Sequence, residues 1–134
     1  MEKILLQTPN DMTQWGNPIV LTKGAKDILL FGNPGKTGNY TFRFKLPENY
    51  KIEPIILTSP SFLTVIEGEI FIGEGNKFDK SSMKGMPAGS FCNIPSNHPI
   101  YLMSEKQVTL QFHGLGPIEL KYLNEAHDPR NSEK

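Results

Sequence analysis

Four side chains in this sequence have the chemistry for covalent or proton-transfer work: the Cys92 thiol, the Ser61 hydroxyl, the His113 imidazole and the Glu53 carboxylate. A thiolate or an activated hydroxyl paired with an imidazole base is the general arrangement for nucleophilic catalysis. A carboxylate held among apolar neighbours has its pKa raised and can abstract a proton. Each has a plainer default. A lone cysteine on a strand is core filler, and nothing near Cys92 in sequence would lower its pKa. Ser61 is a small residue that leaves room, and no base is fixed beside it. His113 can be a hydrogen-bonded structural histidine, and Glu53 can sit at a strand end with its head in water. His98, between Pro95 and Pro99, belongs to a turn at a rim or surface, and His127 falls in a polar tail. Arg43, flanked by Phe42 and Phe44, can bind an anion or pair with a carboxylate. Longer motifs with specific chemistry are missing: there is no phosphate loop, nucleophile elbow, C-x-x-C pair or H-E-x-x-H.

The elements that must position these residues are short. Glycine and proline punctuate the chain, and between them lie runs rich in Val, Ile, Thr, Phe and Tyr, the pattern of many strands. The spacing predicts strands at 40–46, 51–58, 62–66, 69–73, 89–94, 100–103, 108–113 and 118–123. Close spacing implies hairpins, hence an all-β antiparallel sandwich or barrel. Residues 74–85 read as a long polar connection with a helical turn at 81–84. At 134 residues the chain suits one core. Residues 1–37 form an N-terminal extension with edge strands, 38–124 the barrel, and 125–134 a polar C-terminal tail. Lys plus Arg equals Asp plus Glu, at 14 each, so neither nucleic acid nor an anionic membrane is an expected partner. No apolar stretch approaches a bilayer span, and a single cysteine cannot form an internal disulfide. A cytoplasmic location is expected, with export of a longer precursor left open.

Two segments carry a family resemblance. From Asn49 to Gly68 the spacing resembles the first cupin motif, G-x5-H-x-H-x3-E-x6-G, with Asn49 at the first glycine, Ile55 and Leu57 at the histidines, Ser61 at the glutamate and Gly68 at the last glycine. From Gly89 to Ser104 it resembles the second, G-x5-P-x-G-x2-H-x3-N, with Gly89 and Pro95 in place, Asn97 at the glycine, Ile100 at the histidine and Ser104 at the asparagine. The likeness spans residues 38–130 and implies the cupin jelly roll, a double-stranded β-helix of the RmlC-like, small single-domain kind. Such cupins hold a divalent metal through three histidines and a carboxylate, and many are dioxygenases, decarboxylases or isomerases. Here Ile55, Leu57 and Ile100 offer no lone pair and Ser61 is a poor replacement for a carboxylate, so no metal, no cofactor and no metal-dependent oxygenase activity are expected. All four ligands are gone while Gly68, Gly89 and Pro95 stay. That pattern fits a pocket emptied of metal, either by selection for another ligand or by engineering.

If positions 55 and 57 face inward in place of ligands, strand alternation turns Glu53 to the same side. The same parity carries Leu63 and Val65 inward with Ser61, and Leu102 with Ile100. Cys92 and Ile94 share a face expected to be interior. On the strand at 108–113 either Leu110 and Phe112 or Gln111 and His113 face inward; the polar pair is preferred as a natural neighbour of a metal site. The expected product is a mostly apolar pocket that binds a small hydrophobic or aromatic molecule. The competing readings are a metal-independent enzyme using Cys92 or Ser61 with His113 or His98, or Glu53 as base, and a structural or regulatory cupin acting through its surface. Relatives of this fold commonly pair through their sheets, so a homodimer is expected.

Overall fold

A computed structural model describes residues 3–131 of the chain. Ten strands form in the order β1 (Lys26–Phe31), β2 (Gly38–Leu46), β3 (Tyr50–Leu57), β4 (Ser61–Glu67), β5 (Glu69–Glu74), β6 (Lys84–Pro87), β7 (Phe91–Ile94), β8 (Ile100–Ser104), β9 (Val108–Gly116) and β10 (Leu120–Tyr122). They assemble into two antiparallel sheets, β1-β2-β9-β4-β7 and β10-β3-β8-β5-β6. The chain switches sheets at almost every turn, so strands distant in sequence become neighbours and the inner faces close on one core. Leu46, Leu63, Val65, Ile70, Val108 and Leu110 are almost wholly shielded from water at its centre. The all-β antiparallel expectation holds, and no helix among the described residues is long and apolar enough to cross a membrane.

Two strands escaped the sequence pattern as separate elements. β6 is Lys-Gly-Met-Pro at a sheet edge, a composition depleted in strands but tolerated where one side needs no ladder partner. β1, in the N-terminal region, reads Lys-Asp-Ile-Leu-Leu-Phe without clean alternation, because a register shift between Leu29 and Phe31 breaks its period. The helical turn of the long connection lies one residue earlier than expected, at Lys80–Ser82, where the Asp79 carboxylate accepts from the Ser81 amide at 3.0 Å. In the tail, Arg130 donates to Asp128 at 2.9 Å and to the Leu120 carbonyl at 3.1 Å, which ties residues 125–131 to the surface beside β10.

Backbone demands at the two motifs are met. Asn49 and Asn97 have φ of 55° and 60°, and Gly68 and Gly89 have 80° and 92°. Asparagine is one of the few non-glycine residues that adopts this conformation readily, so the residues standing at both motif glycine positions keep the turn.

Candidate functional site

The two inner faces do not meet at one end of the barrel. They leave a cavity of about 480 Å³. The first sheet supplies Phe42, Phe44, Leu110 and Phe112, the second Ile52, Ile55, Leu57, Ile100 and Leu102. Phe42 stacks on Phe112 at 5.3 Å, and Phe44 meets Phe112 edge-on at 5.6 Å, so one wall is a fixed aromatic cluster. The mouth is roofed by residues 14–21, which begin as a bridge to β1 (Gly16 donating to the Asp27 carbonyl at 2.7 Å and Asp27 donating back at 3.0 Å) and cross to the other sheet. There Tyr122 donates to the Val20 carbonyl and Tyr50 to the Thr22 carbonyl, each at 2.6 Å. Burial pushes both phenols above their ordinary pKa, which keeps them protonated as donors.

All four positions that stand at metal ligands in the motif resemblance, Ile55, Leu57, Ser61 and Ile100, line this one cavity. Ile55 and Ile100 are cross-strand partners, and Leu57 follows two residues on. Four converging side chains without a strong donor do not fit a metal ion. Among the described residues no three His, Cys, Asp or Glu side chains are grouped as a metal set.

The other expected site residues divide. Leu102 lines the cavity, whereas Leu63, Val65 and Ile94 are packed into the core beyond its wall. Glu53 lies outside. Pro54 has no N–H for the ladder, the register shifts between Ile52 and Ile55, and both isoleucines face inward. The parity that would have turned Glu53 inward is therefore broken, and its carboxylate pairs with Lys51 Nζ at 3.0 Å on the outer face. Gln111 and His113 also face outward: Gln111 accepts from Arg43 Nε at 2.9 Å, and His113 stacks on Phe62 at 5.1 Å in a shallow groove on the outside of the sheet. Burying Leu110 and Phe112 removes more apolar surface from water than the polar pair would, and it leaves no amide or imidazole without a partner.

Among the described residues, neither candidate nucleophile has a base beside it. Ser61 Oγ lies 2.9 Å from the Tyr40 hydroxyl and 3.5 Å from the His113 carbonyl, and burial holds Tyr40 in its neutral form. Cys92 sits opposite Leu63 on the inner side of β7, half-buried, and burial pushes its thiol pKa up. His98 is tied to Glu74 at 2.6 Å on the surface, and His127 belongs to an exposed turn. Cys92 is therefore expected to react with iodoacetamide at pH 7 more slowly than an unstructured cysteine peptide, since less of it is thiolate. Rapid labelling that abolished a measured turnover would reinstate it as a nucleophile.

One functional candidate was not read from the sequence. Asp27, on β1, lines the cavity beside Phe44. Desolvation raises its pKa above the ordinary carboxylate value, opposed in part by a hydrogen bond from its own backbone amide. The available signal was a lone acid opening an apolar run, legible only once that run is placed as an edge strand.

No protein-family model matches the chain, and no curated protein sequence matches it. Solved structures do resemble it in shape. The polyketide cyclase RemF from Streptomyces resistomycificus superposes with a TM-score of 0.76 at 12% identity, over 97% of this chain and 93% of that one. An RmlC-like cupin from Shewanella frigidimarina gives 0.63 at 14% identity, over 82% of this chain and 88% of that one. A salicylate 1,2-dioxygenase from Pseudaminobacter salicylatoxidans gives 0.62 at 16% identity over 78% of this chain, which spans only 32% of that protein. At such identities the likeness speaks for architecture. The chain has the cupin fold.

Proposed function

We propose that the protein is a metal-independent binding module whose barrel cavity takes up a small, neutral hydrophobic or aromatic molecule. The observation that carries this reading is the convergence of Ile55, Leu57, Ser61 and Ile100 on one cavity of about 480 Å³ with an aromatic wall. That volume falls within the roughly 300–1,000 Å³ typical of small-molecule sites. Among the described residues no lysine, arginine or histidine lines the cavity, so an anionic ligand would find no counter-ion in that lining. The nearly full-length likeness to a polyketide cyclase, and the likeness to a salicylate dioxygenase, favour an oxygen-bearing aromatic compound over an aliphatic chain.

An environment-sensitive naphthalene sulfonamide dye without a charged group should bind saturably at one site per chain and be displaced by small neutral aromatics. Leu57→Trp fills the cavity from its wall and should weaken that binding by about tenfold or more, since one bulky group removes most of the buried contact. Dye binding that is unaltered in a folded Leu57→Trp protein would place the ligand elsewhere and overturn the reading.

A further inference from the structure

Resting on that reading of the cavity, we propose that Asp27 is its proton-transfer base, and that the molecules it acts on are neutral aromatic ketones or related carbonyl compounds with an acidic C–H beside the carbonyl. The carboxylate lies on the inner face of β1, opposite Phe44, where the aromatic wall meets the roof. Gly16 makes room for it: a side chain there would meet Asp27 Oδ1 at 3.0 Å. Among the described residues no side chain pairs with this carboxylate. A carboxylate facing an apolar space without a counter-ion is a stronger base than one in water, because burial disfavours its charge.

Among the described residues, the surroundings leave that role to Asp27 alone. Glu119 is the other ionisable lining residue, and it is exposed at the mouth. Lys26 and Lys45, one position along their strands, face the opposite side, where they engage Asn17 at 2.5 Å and the Trp15 ring at 4.3 Å. The Tyr50 and Tyr122 hydroxyls are committed to the roof. Ser61 stands four rows along and three strands across from Asp27, roughly 14 Å in each direction, too far to share one reacting bond.

The chemistry is a proton shuttle. An Asp27 carboxylate oxygen takes the proton from the carbon beside the carbonyl. The C–H electron pair moves into the enolate, and the protonated carboxyl returns a proton to carbon. Nothing is oxidised or reduced, and Asp27 is regenerated. A neutral ligand suits the step, since the absence of cationic lining residues leaves only a proton made acidic by its own carbonyl within reach of a carboxylate.

The test uses the full chain with 2-tetralone in deuterated buffer, reading loss of the C1 proton signal by NMR, with binding followed in the same samples by dye displacement. The native protein is expected to accelerate exchange on the order of 10²-fold or more over matched buffer. The rate should rise with pH through a midpoint above the ordinary aspartate value and then level, because the base works ionised. Asp27→Asn should abolish the acceleration while leaving binding within about threefold, and Asp27→Glu should recover part of it. Asp27→Asn should fold at least as well as the native chain at pH 7, since it removes a charge that burial disfavours. Tetralone that binds without accelerated exchange, or acceleration that survives Asp27→Asn, overturns the assignment and leaves the binding module standing. Failure of tetralone to displace the dye overturns the assigned ligand class, and failure of the dye itself to bind overturns both readings.

Discussion

The quadruple variant Ile55→His, Leu57→His, Ser61→Glu and Ile100→His is expected to retain about one divalent metal ion per chain after desalting, where the native chain retains almost none. Directly opposed residues on neighbouring antiparallel strands have Cβ atoms about 5 Å apart, so histidines at 55 and 100 can turn toward one point at the ~2.1 Å needed for metal–nitrogen bonds. Position 57 lies on the same face of β3, and position 61 enters from the facing sheet. The carboxylate introduced by Ser61→Glu would inherit the Tyr40 hydroxyl, now 2.9 Å from Ser61 Oγ, as an orienting partner. Without metal the same variant should be less stable than the native chain by on the order of 3–5 kcal/mol, because it buries unpaired polar groups in an apolar wall. Metal should recover that loss, since a ligand that binds only the folded state stabilises it. Elemental analysis and melting with and without zinc or nickel read both effects. A folded variant that retains no metal would mean that the four side chains do not converge as described.

The parts of the fold legible in the sequence are those where a local rule decides. Gly68, Gly89 and the two asparagines at 49 and 97 mark positions that need positive φ, and their spacing is independent of what the intervening residues bind. The site was harder to read because it depends on which way each strand faces. Alternation placed Leu102 on the cavity wall, but it failed for Glu53, where Pro54 inserts a bulge and resets the parity. It was neutral at β9, where Leu110 and Phe112 or Gln111 and His113 satisfy the same period. The polar pair expected beside a metal site faces outward instead, since the side chains opposite it at 55, 57 and 100 are apolar and apolar burial then decides. Asp27 was invisible for another reason. Its place in the cavity depends on the bridge to Gly16 and on the roof that follows, a contact between an extension and an edge strand that no local pattern encodes.

The glycine framework carries the second large expected effect. Gly68, with φ of 80° in the turn between β4 and β5, lies so close to the strand-entry segment that a Cβ there would meet the Gln107 carbonyl oxygen at 2.5 Å and Val108 Cα at 3.1 Å. Both neighbours are backbone, held where Val108 begins β9, so neither can move without disturbing the ladder to β2. Gly89 has a similar φ of 92°, but open space surrounds its missing Cβ. Gly89→Ala should therefore cost only the left-handed conformation, about 1–2 kcal/mol. Gly68→Ala adds the clash and should cost about 3 kcal/mol or more, among the large single-residue effects. For a chain of this size that separates the melting temperatures of the two variants by about 5–10 °C, with Gly68→Ala the lower. Dye binding should persist in Gly89→Ala, because that turn contributes no side chain to the cavity. Equal melting temperatures would show that the turn at Gly68 relaxes away from β9. Its glycine would then be a matter of backbone conformation alone, and the retention of this motif position would owe nothing to close packing against the strand that forms the aromatic wall.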